Sequence, residues 1–515
     1  MNRLRTNAIM SRLSTGMVAA TILVGLLSAS AQTGPEDRSR HHRYKVIDLG
    51  TLGGPQSIVF GLTGPVNNSG EVTSCADTSS LDLNTPQNPY FAQPNYPDGL
   101  DPYIQHTFLW RNGVMKDLGT FRGATSSSCG QWINDDGWVV GGSSNGNIDP
   151  LTGYPAVVAA LWRDRRIVNL GTLGGNESIA FAINNQGQIA GGALNTVPDD
   201  LQFGVLFQVG ATQVHAFLWQ DGRMKDLGTL GGPDSAAFYV NDRGHAAGNS
   251  YTNNIPNPTT GIPTVDPFLW KNNRMIDLGT LGGVFGILNA INNHDQVAGQ
   301  SDLAGDQAAH PFFWDKGVMT DLGTFGGDNG EALWLNERGD VVGDADFPGD
   351  QVHDAFLWRK GTMTDLGNLG RTSIAWGINA SGQIAGTSRV DSTTLHGFLW
   401  ENGGPMVDVN SLISPGSGMV LTNEWFINDR GEIAGWGQLP NGDFHATLLV
   451  PCDGHHLGEC DDYSMIEVDA PQASAFPAEF SPATLVGNEP VDDRIGPRHN
   501  RFGSGPRFAG QPSER

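Results

Sequence analysis

Histidine and aspartate recur at fixed intervals along this chain of 515 residues, and both side chains can bind metals or transfer protons. The histidines begin a motif of the form His-Ala-Phe-Leu-Trp, at His106, His215, His310, His396 and His445. The aspartates begin a motif of the form Asp-Leu-Gly, at Asp48, Asp117, Asp226, Asp277, Asp321 and Asp365, with variant copies at Asn169 and Asp408. A catalytic group is needed once, whereas a residue that returns in every module serves the same structural purpose in each. We therefore interpret the aspartate as a turn-stabilising acceptor and the histidine as a local hydrogen-bond partner, not as part of a metal site.

Two further strings resemble catalytic or metal-binding motifs but lack the required context. Residues Gly142–Gly146 have the Gly-x-Ser-x-Gly pattern of a hydrolase nucleophile, yet no helix follows them. The string that starts at Asp344 begins like a calcium loop, but Ala355 stands where the closing Glu is required. The sequence therefore predicts no catalytic residue and no metal ligand, and calcium is the one cofactor that it leaves open.

The first 31 residues predict a signal peptide. Arg3, Arg5 and Arg12 precede an apolar run at 17–27, and Ala29-Ser30-Ala31 fits the small-residue cleavage pattern. The run is too short to span a bilayer. We expect an exported protein, extracellular or periplasmic, with no membrane span.

The chain contains four cysteines, Cys75, Cys129, Cys452 and Cys460. The short spacing of the last two favours a disulfide between Cys452 and Cys460, because thiols oxidise outside the cytoplasm. A metal site is the alternative, since His455 and His456 lie between these two cysteines. The sequence leaves the role of Cys75 and Cys129 open.

The charge of the chain excludes one class of partner. Asp and Glu number 54 against 30 Lys and Arg, which gives a formal net charge of -24. A protein that binds nucleic acid through its phosphates needs a basic face. We therefore expect no nucleic-acid partner.

One module recurs eight times between residues 44 and 450. Each copy contains a third motif of the form Ile-Asn-x-x-Gly, whose Asn falls at Asn67, Asn134, Asn184, Asn241, Asn292, Asn336, Asn379 and Asn428. Asn starts a tight turn and Gly takes its left-handed position, so each copy of the motif predicts a hairpin. Runs too short for helices and rich in strand formers lie between the turns, so each module predicts four short strands.

The spacing and order of the modules predict a ring. The last Asp-Leu-Gly anchors are 44, 44 and 43 residues apart, which is the period of a four-stranded propeller blade. The repeats open with Tyr44–Asp48, an outer strand without its blade, and end with His445–Val450, a third strand without its fourth. Pairing these two would complete an eighth blade and hide two open edges. We predict an all-β fold, an eight-bladed β-propeller of four-stranded antiparallel blades closed by its N- and C-terminal strands. A seven-bladed propeller and an open β-repeat array are the alternatives.

The module also resembles a known family. His215-Ala216-Phe217-Leu218-Trp219 and the string from Asp226 to Gly232 are similar to the HAF repeat of predicted extracellular bacterial proteins. The resemblance covers about four fifths of the chain and is weakest in the first and last modules. It implies export and a propeller-like repeat, and it transfers no activity and no catalytic residue.

Taken together, the motifs divide the chain into four parts. We expect a signal peptide at 1–31, a linker at 32–43, the propeller at 44–450, and a Cys loop with a largely disordered tail at 451–515.

The modules differ most at one connection, between the second and third strands. Modules one to four carry inserts there, at 77–105, 145–158, 194–214 and 251–265. In an antiparallel four-stranded blade this connection leaves from the same end as the link to the next blade, so all four inserts are expected on one face. They total 79 residues with seven acids, no Lys or Arg, and five of the eight Tyr.

This insert-bearing face is the predicted binding site. Aromatic rings with Asn, Asp and Gln suit neutral polar ligands such as sugars. The candidate ligand-binding residues are Tyr90, Phe91, Tyr96, Tyr103, Tyr154 and Tyr251. We expect a monomeric, non-catalytic scaffold that binds a carbohydrate or protein ligand. The first alternative is an extracellular glycan hydrolase or lyase with a carboxylate site near the central channel, and the second is that the inserts are tolerated surface loops without a ligand.

Overall fold

A computed structural model describes residues 39–59, 64–83, 91, 101–122, 126–150, 153–199, 212–258, 261–414, 416–456, 458, 460 and 464–468. The predicted signal peptide and most of the predicted linker lie outside these ranges. Strands make up most of the regular structure, with a short 3-10 helix at Val409–Ser411. No helix in the described ranges is long and apolar enough to cross a membrane.

Strands β1 (Ser39–His42) and β2 (Tyr44–Asp48) come first, and the repeats follow with four strands each. Repeat 1 contains β3 (Gly53–Ile58), β4 (Val72–Leu81), β5 (Tyr103–Arg111) and β6 (Val114–Asp117). Repeat 2 contains β7 (Ser128–Ile133), β8 (Val139–Ile148), β9 (Pro155–Arg163) and β10 (Arg166–Asn169). Repeat 3 contains β11 (Ser178–Ile183), β12 (Ile189–Pro198), β13 (Thr212–Gln220) and β14 (Arg223–Gly228). Repeat 4 contains β15 (Ser235–Val240), β16 (Ala246–Tyr251), β17 (Val265–Lys271) and β18 (Arg274–Asp277).

The second half of the repeat region follows the same order. Repeat 5 contains β19 (Gly282–Ile291), β20 (Val297–Leu303), β21 (Ala309–Asp315) and β22 (Val318–Asp321). Repeat 6 contains β23 (Gly330–Leu335), β24 (Val341–Asp346), β25 (His353–Arg359) and β26 (Thr362–Asp365). Repeat 7 contains β27 (Thr372–Ile378), β28 (Ile384–Arg389), β29 (Leu395–Trp400) and β30 (Val407–Asp408). Repeat 8 contains β31 (Val420–Ile427), β32 (Ile433–Gln438) and β33 (Phe444–Pro451), and β34 (Met465–Val468) ends the described chain.

Each repeat forms a four-stranded antiparallel sheet in sequence order, which confirms the predicted all-β fold. The sheets of repeats 4 and 5 are joined by one parallel bridge, from Val265 to Phe285. The sheet of repeat 8 takes its fourth strand from the other end of the repeat region, because β2 pairs with β33 from Tyr44 opposite Pro451 to Asp48 opposite Thr447. Consecutive sheets pack against each other around a central cavity, which is the arrangement of a β-propeller.

The core lies between neighbouring sheets. The Phe of the His-Ala-Phe motif is fully buried in six repeats, at Phe108, Phe217, Phe268, Phe312, Phe356 and Phe398. One cluster joins Ala216 and Leu218 of repeat 3 to Val240, Phe268 and Trp270 of repeat 4, and Met275 packs against it. Similar clusters lie between other neighbouring repeats, so a repeat buries its apolar faces only when its neighbours are present.

The second strand of repeats 2 to 8 needs a glycine for close packing, whereas Ser74 stands at this position in repeat 1. At Gly248, a Cβ atom would collide with the carbonyl oxygen of Ala236 on the neighbouring strand β15. The pairing of β15 with β16 shifts register between Ala237 and Tyr239, which is the mark of a β-bulge. The repeated Val-Ala-Gly string is therefore a requirement of this bulge and not of a ligand.

Two segments outside the repeats are more ordered than predicted. The sequence places β1 in a linker and β34 in an unstructured tail, yet the two pair antiparallel, with Ser39 opposite Val468 and His42 opposite Met465. Local composition did not reveal this pairing because the partners lie more than 400 residues apart. The predicted tail beyond residue 468 lies outside the described residues.

Candidate functional site

The Ile-Asn-x-x-Gly hairpins end the first strands of the repeats, and we call the side that carries them the hairpin face. In repeat 3, the Oδ1 atom of Asn184 accepts hydrogen bonds from the backbone N–H groups of Gln186 and Gln188, at 3.0 and 2.9 Å. Gly187 takes the left-handed conformation with φ of 74°. The predicted turn chemistry is therefore confirmed at this hairpin.

The same asparagines also connect the repeats, a role that the sequence did not predict. The Nδ2 atom of each donates to the backbone carbonyl of the corresponding Asn in the next repeat, at 2.8 to 3.2 Å. The donors and acceptors follow in the order Asn67, Asn134, Asn184, Asn241, Asn292, Asn336, Asn379, Asn428 and again Asn67. All eight asparagines are buried. The chain of bonds therefore returns to its starting residue.

The residue after each of these asparagines alternates in charge. It is Asn or Ala in the odd repeats, at Asn68, Asn185, Asn293 and Ala380, and an acid in the even repeats, at Asp135, Asp242, Glu337 and Asp429. Each acid accepts the backbone N–H of the odd-repeat residue before it, as Asp242 does from Asn185 at 3.0 Å. The Asn side chains accept in the same way, as Asn185 does from Asp135 at 3.0 Å.

These hairpins line a cavity at the centre of the hairpin face, which we call the channel mouth. Its volume is about 310 Å³, and all eight repeats contribute to its lining. The four acids line it, and no Lys, Arg or His does so among the described residues. A cavity of this size is at the lower end of the range for small-molecule sites.

Aromatic rings close the cavity from below. Trp132 and Trp334 also line it, each two residues before the asparagine of its hairpin, and their rings stack with centroids 6.2 Å apart. Tyr239 and Phe426 pack edge-on against these indoles. All four rings come from even repeats, whereas the equivalent odd-repeat residues are Pro65, Ala182, Ala290 and Gly377. Charge and ring size therefore alternate together around the channel mouth.

The recurrent histidines and aspartates form local pairs, as predicted. Nδ1 of each histidine lies 2.7 to 3.0 Å from the aspartate in the pairs His106–Asp117, His215–Asp226, His310–Asp321, His396–Asp408 and His445–Asp48. Partial burial would raise the pKa of Asp226, but the bonds from His215 and from the Gly228 N–H outweigh it and hold the pKa below its usual value. These residues support turns and strands within each sheet.

Repeat 4 departs from this pairing because Asp266 replaces the histidine. Burial, together with the neighbouring Asp277, raises the pKa of Asp266 to about 7. Two acids in this position do not form a metal site. The described residues contain no group of three or more His, Cys, Asp or Glu that could hold a metal ion.

The opposite side of the sheets carries the inserts, and we call it the insert face. The second strands β4, β8 and β12 are ten residues long, whereas β24, β28 and β32 have six. The inserts thus begin as extensions of the strands. Of nine large apolar side chains exposed in the described part of the chain, five belong to the inserts: Leu81, Leu83, Ile148, Val197 and Ile255.

Buried acids lie beneath the inserts. Burial raises the pKa of Glu177 to about 7, and Asp149 adds to this while the Val157 N–H opposes it. Burial raises the pKa of Asp234 to about 8, against the Val214 N–H and with a further contribution from Asp199. Asp149 and Asp199 belong to the second and third inserts, so two inserts are held next to acids of the following repeat.

The structure places the six aromatic residues predicted to bind ligand in different environments. The rings of Phe91 and Tyr251 are 8 % and 0 % exposed and pack in one buried cluster, so they present no surface to a ligand. Tyr103 and Tyr154 are half-buried, and Tyr103 pairs with Leu81 at the end of β4. Tyr90 and Tyr96 lie outside the described residues. Tyr103 and Tyr154 therefore remain the placed candidates.

All four cysteines form disulfides. Cys452 pairs with Cys460, as the sequence predicts. Cys75 of β4 pairs with Cys129 of β7 and so links repeats 1 and 2. This second bridge was not predicted, because its partners are 54 residues apart and are brought together only by the packing of two sheets.

Comparisons with known proteins show no family for this chain. No protein-family model and no curated protein sequence matches the chain. Among solved structures, the β-propeller domain of the Trilobed protease from Pyrococcus furiosus is 8% identical over 69% of this chain and 97% of that chain, with a TM-score of 0.41. Porphyromonas gingivalis dipeptidyl peptidase 4 is 11% identical over 65% of this chain and 54% of that chain, with a TM-score of 0.38. The Aleuria aurantia lectin is 10% identical over 62% of this chain and 94% of that chain, with a TM-score of 0.26. TM-scores this low carry no information on activity.

Proposed function

We propose that the protein is an exported, monomeric and non-catalytic scaffold, a closed eight-bladed β-propeller of the HAF-repeat type. The pairing of β2 with β33 and the cyclic chain of asparagine hydrogen bonds support closure and the number of blades. Two disulfides in a chain without free cysteine support an oxidising compartment outside the cytoplasm.

The ligand binds at the insert face of repeats 1 to 4. The observation that carries this proposal is the exposed apolar side chain in each insert: Leu81, Ile148, Val197 and Ile255. Exposing large aliphatic groups to water is unfavourable, and a partner that covers them removes that cost. Inserts that were only tolerated surface loops would not need such side chains.

Of the two ligand classes predicted from the sequence, a protein fits these inserts better than a carbohydrate. Sugars stack on flat exposed rings, whereas the described inserts expose aliphatic side chains, and Phe91 and Tyr251 are buried. The inserts contain acids and no Lys or Arg. The partner is therefore a protein with an apolar contact patch bordered by basic residues.

Matched substitutions on the two faces test this proposal. Ile148→Asp and Ile255→Asp change insert side chains that are 57% and 72% exposed, and Val114→Asp and Val318→Asp change hairpin-face side chains that are both 64% exposed. We expect the insert-face variants to lose cross-linking to a native partner in the surrounding medium, and the hairpin-face variants to keep it. Equal loss in both pairs, or loss in neither, would contradict binding at the insert face. A glycan array run with the same proteins tests the carbohydrate alternative.

A glycan hydrolase or lyase is the second candidate, because four carboxylates converge on the channel mouth. Each of them recurs in alternate repeats and accepts a backbone N–H, which favours a structural use. Glu424 occurs in a single repeat, but it is fully buried between repeats 7 and 8 and does not line the cavity. A product assay on the glycans of the array decides the point, and release of product would overturn the non-catalytic scaffold.

A further inference from the structure

The channel mouth is a second candidate site, on the face opposite the inserts. It is a cavity of about 310 Å³ whose floor contains Trp132 and Trp334 and whose wall contains Asp135, Asp242, Glu337 and Asp429. No residue of this lining belongs to an insert, so a ligand here is independent of the insert-face partner.

The bonds between repeats account for the position of the four acids but not for their charge. Asn68, Asn185 and Asn293 accept the same kind of backbone N–H bond in the alternate repeats, at 3.3, 3.0 and 2.7 Å. A neutral amide can therefore accept this backbone N–H bond. In repeat 7 the position is Ala380, which has no side-chain acceptor at all. Four carboxylates around one cavity repel each other, so retaining them favours a positively charged occupant.

The carboxylates keep the capacity to bind such an occupant. An ionised carboxylate has about four lone-pair sites. Asp429 uses Oδ1 for the Ala380 N–H at 2.9 Å, and Asp242 uses Oδ1 for the Asn185 N–H at 3.0 Å. Asp135 and Glu337 are more occupied, because Oδ2 of Asp135 also accepts from Nδ2 of Asn185 at 3.0 Å and Oε2 of Glu337 lies 3.2 Å from Nδ1 of His294. The remaining lone pairs can accept bonds from an ammonium group.

The aromatic floor defines the chemistry of the cation. Trp is the best aromatic partner of a cation, and carboxylates with indoles recognise alkylated or primary ammonium groups. A bare calcium ion instead needs six to eight oxygen ligands at about 2.3 to 2.6 Å, and the described residues contain no group of side chains placed to hold a metal. We propose that the channel mouth binds a small organic cation, with its ammonium groups against the carboxylate wall and its carbon atoms over Trp132 and Trp334.

Titration calorimetry on the full chain tests the proposal with two probes, choline and spermidine. We expect saturable binding of at least one probe at low ionic strength, weakened by salt because the attraction is electrostatic. The uncharged analogue of choline, 3,3-dimethylbutanol, should not bind. Calcium chloride is titrated in parallel.

The decisive variant neutralises the wall: Asp135→Asn, Asp242→Asn, Glu337→Gln and Asp429→Asn together. Amides stand at three of the four equivalent positions of the odd repeats, so this variant is expected to fold and melt like the wild type. Affinity for the organic cation should fall at least about tenfold, because four attractive charges are removed. A control with two substitutions, Asp221→Asn and Asp306→Asn, removes acids outside the cavity lining and should bind normally.

Three outcomes would overturn the proposal. The first is that neither probe binds the wild-type protein. The second is equal affinity of the neutralised variant and the wild type. The third is that calcium binds at this wall and the organic cations do not, which would make the mouth a metal site.

Discussion

The hairpin face and the insert face are built on the same strands, yet they differ in what the chain repeats. On the hairpin face the turn asparagine recurs in every repeat, and each copy is bonded to the next. On the insert face no two inserts share a length, and each carries an exposed apolar side chain. Repetition thus marks the contacts that hold the sheets together, and variation marks the surface left to bind something.

The difference within the hairpin face is finer. Trp132, Tyr239, Trp334 and Phe426 alternate with small residues, and the acids alternate with amides. A residue that only holds the sheets together is expected in every repeat, whereas these residues occur in every second repeat. The scaffold does not require this alternation between even and odd repeats, and the inferred cation site rests on it.

The largest expected effect comes from breaking the junction between the two ends of the repeat region. A truncated chain that starts at residue 55 loses β2 with its buried Tyr44, the buried Leu49 that follows β2, and the His445–Asp48 pair. We expect the free energy of unfolding to fall by at least about 5 kcal/mol from lost apolar burial, measured by denaturant titration. A chain that starts at residue 43 keeps β2 and is the control. An unchanged melting temperature in the shorter chain would argue for an open array of repeats.

The sequence predicted the four-stranded antiparallel sheets well because each repeat contains the same turn and strand signals. Turn residues such as Asn184 and Gly187 determine their hairpin locally, and eight copies remove the ambiguity of one. The bond from Asn184 to Asn241 was not predicted, because it depends on how two sheets pack across 57 residues.

The burial of aromatic rings in the inserts could not be predicted from the sequence, because it also depends on contacts between repeats. An insert has no second copy against which to compare it, so composition alone suggested that Phe91 and Tyr251 face solvent. Both rings instead complete a cluster with residues of several repeats, including Ile179 and Val265. The alternation of acids was visible in the sequence, but its meaning required the knowledge that the hairpins meet around one cavity.

A smaller effect should separate the two adjacent asparagines of one hairpin. Asn184→Ala removes the acceptor of two backbone N–H groups and the bond to the Asn241 carbonyl, and leaves those groups unpaired in a buried site. We expect a loss of about 2 to 3 kcal/mol in the free energy of unfolding. Asn185→Ala alters an exposed side chain, and Ala380 occupies the same position in repeat 7, so its cost should stay below about 1 kcal/mol. Equal costs for the two variants would show that position within the hairpin does not determine the contribution.

The smallest expected effect is a difference in pH response between buried acids under the inserts and paired acids at the His-Asp motifs. The pKa of Asp234 is raised to about 8 by burial, opposed by the Val214 N–H and increased by Asp199. In the folded protein Asp234 therefore keeps a proton that it loses above pH ~4 in the unfolded chain. Stability from this group accordingly declines as pH rises from about 4 to about 8. Asp226 responds in the opposite direction, since its lowered pKa gives stability that is lost as pH falls below about 4.

Asp234→Asn isolates the insert-face contribution. The amide keeps an acceptor for the Val214 N–H, now 2.8 Å from Oδ1, and Asn329 stands at the same position in repeat 6. We expect a shallower decline of the unfolding free energy between pH ~4 and ~8, with Glu177 and its raised pKa responsible for part of what remains. Asp226→Asn should leave that window unchanged and flatten the response only at lower pH. Because each substitution neutralises one acid, a response that both shift equally would mean that net charge, and not the buried position of Asp234, controls the pH dependence of the insert face.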